Sequence, residues 1–394
     1  MRTWLALVVV PTLASGCFGP ASHVASDSSL YVGGVAQRQN GGGDAAANLQ
    51  LIRHPDALQA VGDLVTIVGT LGLACLAGND SLCRPYAQAT AGSDGSYKFG
   101  PIRGADTQGS VGEALLFSAW LRGPTPSAPA TAPAGVDADF YIQKTQVTLP
   151  PLRLWETGGT EADANGAASF SWPSLESAIG SAADDYKLQI TTSKGQIVWS
   201  APASGSASQI SIDPRVTQDF AGNWAVWAHR KVPGDGTDFD LTWYSPSAAY
   251  ASHASIPASR GKDCWLQGPS GPVMQSPCPL TDGDLATSLQ PLPAPQCPSG
   301  QSCTPPQQNN WVYVDLGAAT PLSALVLYDV AFGTSAATVE GSSDGTSWST
   351  LAASISSQPY QLVKLSGTAR YLRLRLADAT AQFPAFGNSE LAIF

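Results

Sequence analysis

The run Gly341-Ser342-Ser343-Asp344-Gly345 spells G-x-S-x-G, the pattern in which a serine is raised to attack an acyl carbon. Such a nucleophile needs a strand before it and a helix after it, so that its hydroxyl stands exposed on a sharp turn. Here Ser347-Trp348-Ser349-Thr350-Leu351 follows and reads as a strand, so a hairpin turn is expected. No H-E-x-x-H, P-loop or dinucleotide fingerprint occurs elsewhere. The acidic run Asp235-Gly236-Thr237-Asp238-Phe239-Asp240 places oxygens at alternate positions but lacks the Gly and distal Glu of an EF-hand, and reads as a linker. Paired carboxylates for glycoside hydrolysis stay open at this level.

Seven cysteines carry further chemistry. The first, Cys17, closes a start that runs Met1-Arg2, an apolar stretch from Trp4 to Val10, and then small residues. One basic residue, a short apolar core and small residues make a secretory signal, expected over 1–16. The apolar stretch is shorter than the roughly 18 residues of a spanning helix. An even set of six cysteines in an exported chain reads as disulfides. Proximity favours Cys75 with Cys83, Cys264 with Cys278, and Cys297 with Cys303. Zinc is the competing reading of these thiols. Against it, no C-x-x-C occurs and the four histidines are scattered at 23, 54, 229 and 253.

The elements that would position these groups follow from composition. Of 394 residues only 13% are charged, while 39 glycines and 30 prolines interrupt the chain too often for long helices. Short strands joined by turns fit, so the expected class is all-β. The 43% apolar share is enough to bury real cores. A net charge of −10 without a Lys/Arg cluster argues against nucleic acid as a partner, because phosphate affinity comes from clustered cations.

Ala14-Ser15-Gly16-Cys17 resembles the bacterial lipobox, in which cleavage before the cysteine leaves its thiol to carry diacylglycerol. Leu13 lies four residues before Cys17, where the lipobox has it three before. The resemblance implies lipidation of Cys17 and a membrane held through a lipid anchor. Phe18 follows the cysteine in place of Asp, which in proteobacterial lipoproteins implies the outer membrane. Residues 17–29, rich in Ser, Ala and Gly, read as a tether.

Three β-sandwich domains are expected in succession. Over 30–153, Gly33-Gly34-Val35, Asn40-Gly41, Ala47-Asn48-Leu49-Gln50-Leu51 and Thr90 with Asp94-Gly95-Ser96-Tyr97-Lys98-Phe99 resemble the carboxypeptidase regulatory-like (transthyretin-like) sandwich. That resemblance implies scaffolding, with Asp94-Gly95 forming a tight hairpin and 123–135 a long internal loop. Over 154–236, period-2 strands with Trp172 and Tyr186 in the core resemble fibronectin type III.

The last segment, 245–394, contains Asp282-Gly283-Asp284 with Thr287, Trp311-Val312-Tyr313-Val314-Asp315-Leu316-Gly317, Ser343-Asp344-Gly345-Thr346-Ser347-Trp348, Ala369-Arg370-Tyr371-Leu372-Arg373-Leu374 and Ser389-Glu390-Leu391-Ala392-Ile393. These blocks, in this order, resemble the F5/8 type C (discoidin, galactose-binding-like) jelly roll. The resemblance implies a structural Ca²⁺ held by Asp282, Asp284, Thr287 and Glu390, all hard oxygen donors. The competing reading is an ordinary Asp-Gly turn and a surface Glu. It also implies a glycan site in the loops beside the calcium, with Trp265, Phe332, Phe383 and Phe386 as candidate aromatics. The chain departs from the sugar-binding members after Thr287, where Ser288-Leu289-Gln290 leads into a Pro- and Cys-rich insert.

All three segments resemble non-catalytic modules, so no enzyme is expected. The expected function is a lipid-anchored surface protein whose C-terminal domain binds glycan or another surface ligand. The alternative is a structural or protein-binding envelope lipoprotein. Burial of the four candidate aromatics would favour that alternative.

Overall fold

The computed structural model describes residues 20–54, 85–109, 112–124, 132–164, 167–234, 236–250, 256–292, 309–330, 332, 335–358, 360–379, 381–383 and 389–394. Signal and lipidation at Cys17, the Cys75–Cys83 and Cys297–Cys303 pairs, and Phe386 lie outside the described residues. Strands dominate the rest, as the composition requires.

The first unit holds β1 (Ser29–Gln37), β2 (Asn48–Arg53), β3 (Ala87–Thr90), β4 (Ser96–Arg103), β5 (Leu116–Arg122), β6 (Gly135–Tyr141), β7 (Gln146–Thr148) and β8 (Leu152–Arg153). Strand β1 pairs antiparallel with β4 and parallel with β7 and β8, forming one layer. Strands β3, β2, β5 and β6 form the facing layer, and β5 and β6 flank the loop expected over 123–135. The Asp94-Gly95 turn is a correction. Gly95 has the positive φ expected, +82°, but β3 pairs with β2 while β4 pairs with β1, so the turn is a corner between sheets and not a hairpin. A Cβ there would lie 2.2 Å from the Ala36 carbonyl, which leaves room only for glycine.

The second unit adds β9 (Thr160–Ala164), β10 (Ala167–Ser171), a short helix α1 (Leu175–Ile179), β11 (Asp185–Thr192), β12 (Ile197–Ser204), β13 (Gln209–Ile212), β14 (Gly222–Val232), β15 (Phe239–Tyr244) and β16 (Ala248–Tyr250). Ser174 caps α1 by accepting from the Ser177 amide at 3.1 Å, and Gly180 ends it in the left-handed region. Trp172 and Tyr186 lie in the core as expected, ring centroids 5.7 Å apart.

The end of the stretch expected as a linker, 235–240, is a second correction: Phe239 and Asp240 open β15, while 236–238 stay outside any strand. Strand β15 pairs with β14 on one side and β6 on the other, so the sheet runs β12-β11-β14-β15-β6-β5-β2-β3 through both units. Phe239, Leu241 and Trp243 are buried and alternate with half-buried Asp240, Thr242 and Tyr244. Six residues of period 2 between two open sheet edges satisfy both ladders, which is why the strand begins at Phe239 and takes in Asp240. Likewise β16 pairs with β14, and Tyr250 lies 6.0 Å from Phe170, so residues 248–250 belong to the second sandwich and not to the C-terminal domain.

The C-terminal unit comprises β17 (Cys264–Gly268), β18 (Gly271–Gln275), β19 (Trp311–Tyr328), β20 (Ala337–Ser342), β21 (Ser349–Ile355), β22 (Tyr360–Leu376) and β23 (Glu390–Ile393). Its order is β18-β17-β19-β22-β20-β21, with β23 against β19, in a jelly roll around a core of its own. The Cys264–Cys278 disulfide is formed as expected. The G-x-S-x-G run joins β20 to β21 as a hairpin turn in which Asp344 accepts from the Thr346 and Ser347 amides at 2.8 and 2.7 Å. No helix follows that turn, so the serine has no elbow.

The jelly roll packs on the second sandwich. Arg260 reaches Gln218 and Asp219 at 2.6 Å each, and Trp199 meets Tyr360 at 6.0 Å. Leu285, Val326, Tyr328 and Ala392 are part of the core cluster of the first two units.

Candidate carbohydrate site

In the loop between β18 and β19, the Leu280 carbonyl accepts from the Leu391 amide at the start of β23 at 2.7 Å. That bond brings Glu390 to the Asp282-Gly283-Asp284 turn, where its Oε1 accepts from the Gly283 amide at 3.1 Å. Asp282 Oδ1 accepts from the Asp284 amide at 2.9 Å and from the Thr287 hydroxyl at 3.2 Å. Three of the four expected calcium ligands thus converge. The fourth, Asp284, turns its carboxylate to the second sandwich, accepting from Gln196 at 3.3 Å and lying 3.9 Å from Lys194. Glu390 is buried and its Oε2 meets no donor. Burial, with the charge of Asp282 beside it, pushes its carboxyl up to about 8. Among the described residues no group of three or more His, Cys, Asp or Glu side chains is disposed to hold a metal. An oxygen set of two carboxylates and a hydroxyl, with Glu390 Oε2 left without a donor, fits a hard cation.

The candidate aromatics divide. Phe332 and Phe383 are each 2% exposed and meet edge-to-face at 6.1 Å, so both are core residues and offer no face to a ligand. This corrects the expectation that they line a binding loop. Both rings leave water for the core of the jelly roll, and only the tertiary packing shows it. Trp265 is half-buried on β17, within a strand and not in a loop.

Trp265 is part of a larger array. Leu266, Val312, Val314, Leu372 and Leu374 point into the core, so their neighbours Trp265, Trp311, Tyr313, Tyr371, Arg373 and Arg375 stand on the outer face. Met274, Trp265, Tyr313, Arg373 and Glu340 form one row across five strands. Tyr313 stacks on Trp265 at 5.0 Å and 11° and on Trp311 at 5.5 Å and 25°. The Arg373 guanidinium lies 4.1 Å over Trp348 and donates to Glu340 at 2.6 Å, while Arg375 donates to the same carboxylate at 2.9 Å. Arg370 grips Asp315 through two 2.9 Å bonds and so holds that carboxyl below its ordinary range. The inner faces of these rings are occupied by one another. The stack ends at Trp265 beside Met274, which is 50% exposed. The signal that would have found this array is the alternation in Trp311-Val312-Tyr313-Val314 and Tyr371-Leu372-Arg373-Leu374.

Residues 280–374 match the model of the NedA-like, galactose-binding domain family. The match falls on the jelly roll, from the loop that holds Asp282 to the arginine-bearing strand β22. No curated protein matches the chain. Solved structures similar to the galactose-binding-like domain include a chitosan-binding module, with chitotriose, from a chitosanase/glucanase of Paenibacillus sp. IK-5 (17% identity over 35% of this chain and 98% of that one, TM-score 0.24). Another is CpGH89CBM32-6 produced by Clostridium perfringens (22% identity, 29% of this chain and 81% of that one, TM-score 0.21). A third is the C-terminal domain of a chitobiase from Bacteroides fragilis (19% identity, 29% and 77%, TM-score 0.21).

Proposed function

We propose that this chain is a non-enzymatic, lipid-anchored surface protein whose C-terminal domain binds carbohydrate. The observation that carries the reading is the match of residues 280–374 to a galactose-binding domain family. The end of the aromatic stack supports it, because half-buried Trp265 and exposed Met274 together offer an apolar patch that suits the apolar face of a sugar ring. Asp282, Thr287 and Glu390 would hold calcium and brace the loop. Lipid on Cys17 would keep the protein on the outer membrane. Cys17→Ala should release the protein from the membrane fraction, and membrane sedimentation that survives a high-salt wash would overturn the anchor.

Because the jelly roll packs on the second sandwich, the full chain is the molecule to screen on a glycan array, with and without chelator. Binding that Trp265→Ala reduces at least tenfold is the expected result. A blank array from folded protein would favour the second reading, a structural or protein-binding lipoprotein, to which the burial of Phe332 and Phe383 already points.

A further inference from the structure

The N-terminal sandwich, expected to be scaffold alone, carries three adjoining hollows of about 590, 410 and 430 Å³. Arg38 lines the first two, while Asn48 and Gln50 line the last two, so they form one groove. Strand register builds its floor. Gln88 on β3, Gln50 on β2 and Trp120 on β5 stand in one row, about 4.8 Å apart from strand to strand. Arg122, two residues beyond Trp120 on the same face, lies 4.6 Å over the indole. Gly135 on the neighbouring strand leaves it space, since a Cβ there would come within 2.7 Å of Nη1.

Two arginines that line the middle hollow each carry a buried donor without an acceptor. Arg122 gives Nη1 to Asp137 at 2.6 Å, yet its Nη2 is buried without a partner. Arg38 pairs with Glu156 through Nη2 and lies 3.9 Å from Asp44 through Nη1, yet its Nε is buried without a partner. A buried N–H without an acceptor is unfavourable, and a guanidinium fork is matched best by a carboxylate. An indole beside planar amide and guanidinium donors is the composition of a saccharide subsite, apolar on one side and hydrogen-bonding on the other.

We propose that this groove is a second carbohydrate site, which takes a chain of carboxylate-bearing sugars across Trp120 and presents a carboxylate to the free N–H groups of Arg38 and Arg122. The site lies on different strands and a different sheet from the C-terminal domain, so it stands or falls separately.

Titration calorimetry on the full chain tests it, with a galacturonic acid oligomer, its methyl ester and a neutral galactan oligomer as probes. The acid oligomer should bind at least tenfold more tightly than its ester. That binding should persist in Trp265→Ala and fall at least tenfold in Trp120→Ala and in Arg38→Gln, with unfolding midpoints near the parent's. Arg38 is the safer variant, being 41% exposed at its side chain. Equal affinity for acid and ester, no binding of the acid, or binding unmoved by both groove variants would each overturn the proposal. Loss in Trp265→Ala alone would assign the ligand to the C-terminal domain and overturn it too.

Discussion

The hydroxyl of Tyr328, in the jelly roll, donates to the backbone carbonyl of Val216, in the second sandwich, at 2.8 Å, and the tyrosine is 1% exposed. Phe220 meets the same ring edge-on at 6.5 Å. Tyr328→Phe keeps the ring and leaves a buried carbonyl without its donor, at a cost of about 1–3 kcal/mol. Urea unfolding of the full chain should show a lower midpoint with an unchanged slope. An unchanged midpoint would mean that the interface does not depend on this bond.

Phe332 and Trp265 should part company in mutagenesis. Phe332→Ala empties a core site and should cost about 3–5 kcal/mol. Trp265→Ala removes a half-exposed ring and should cost clearly less, while sugar binding falls. Denaturation and binding measured on both variants check the division. Equal destabilisation by the two would place Trp265 in a structural role.

Asp139 makes stability depend on pH. Burial pushes its carboxyl up to about 6, a bond from Ser118 opposes that rise, and the charges of Asp137 and Asp240 add to it. Asp240 stands directly opposite it on β15. In the unfolded chain the group titrates near 3.9, so the folded state holds the proton more tightly. Its stabilising contribution is complete below about pH 4 and is lost as pH rises through about 6. Asp139→Asn should therefore exceed the parent in stability by about 1–3 kcal/mol at pH 7 and match it near pH 4. A variant less stable than the parent at pH 7 would contradict this sign.

Calcium at the 282–287 loop should be readable without any sugar. A chelator should lower the parent's unfolding midpoint by about 5 °C or more, and Glu390→Gln should begin low and ignore the chelator. A parent midpoint indifferent to both calcium and chelator would overturn the calcium assignment.

Much of this architecture was legible in the chain itself. Period-2 alternation, with glycine and proline at the turns, determines an all-β molecule because side-chain direction in a strand depends only on local geometry. The nearness of Cys264 to Cys278, the core places of Trp172 and Tyr186, and the hairpin at Gly341–Gly345 follow from the same local rules. Partnership does not. That β15 joins two sandwiches depended on open edges more than 90 residues apart in sequence, at β6 and β14. Whether Phe332, Phe383 and Trp265 face solvent depended on which layer covers each of them. The orphaned N–H groups of Arg38 and Arg122 exist only because strands distant in sequence enclose them. Burial and hydrogen-bond satisfaction are properties of neighbours in space, and those are decided by the tertiary structure alone.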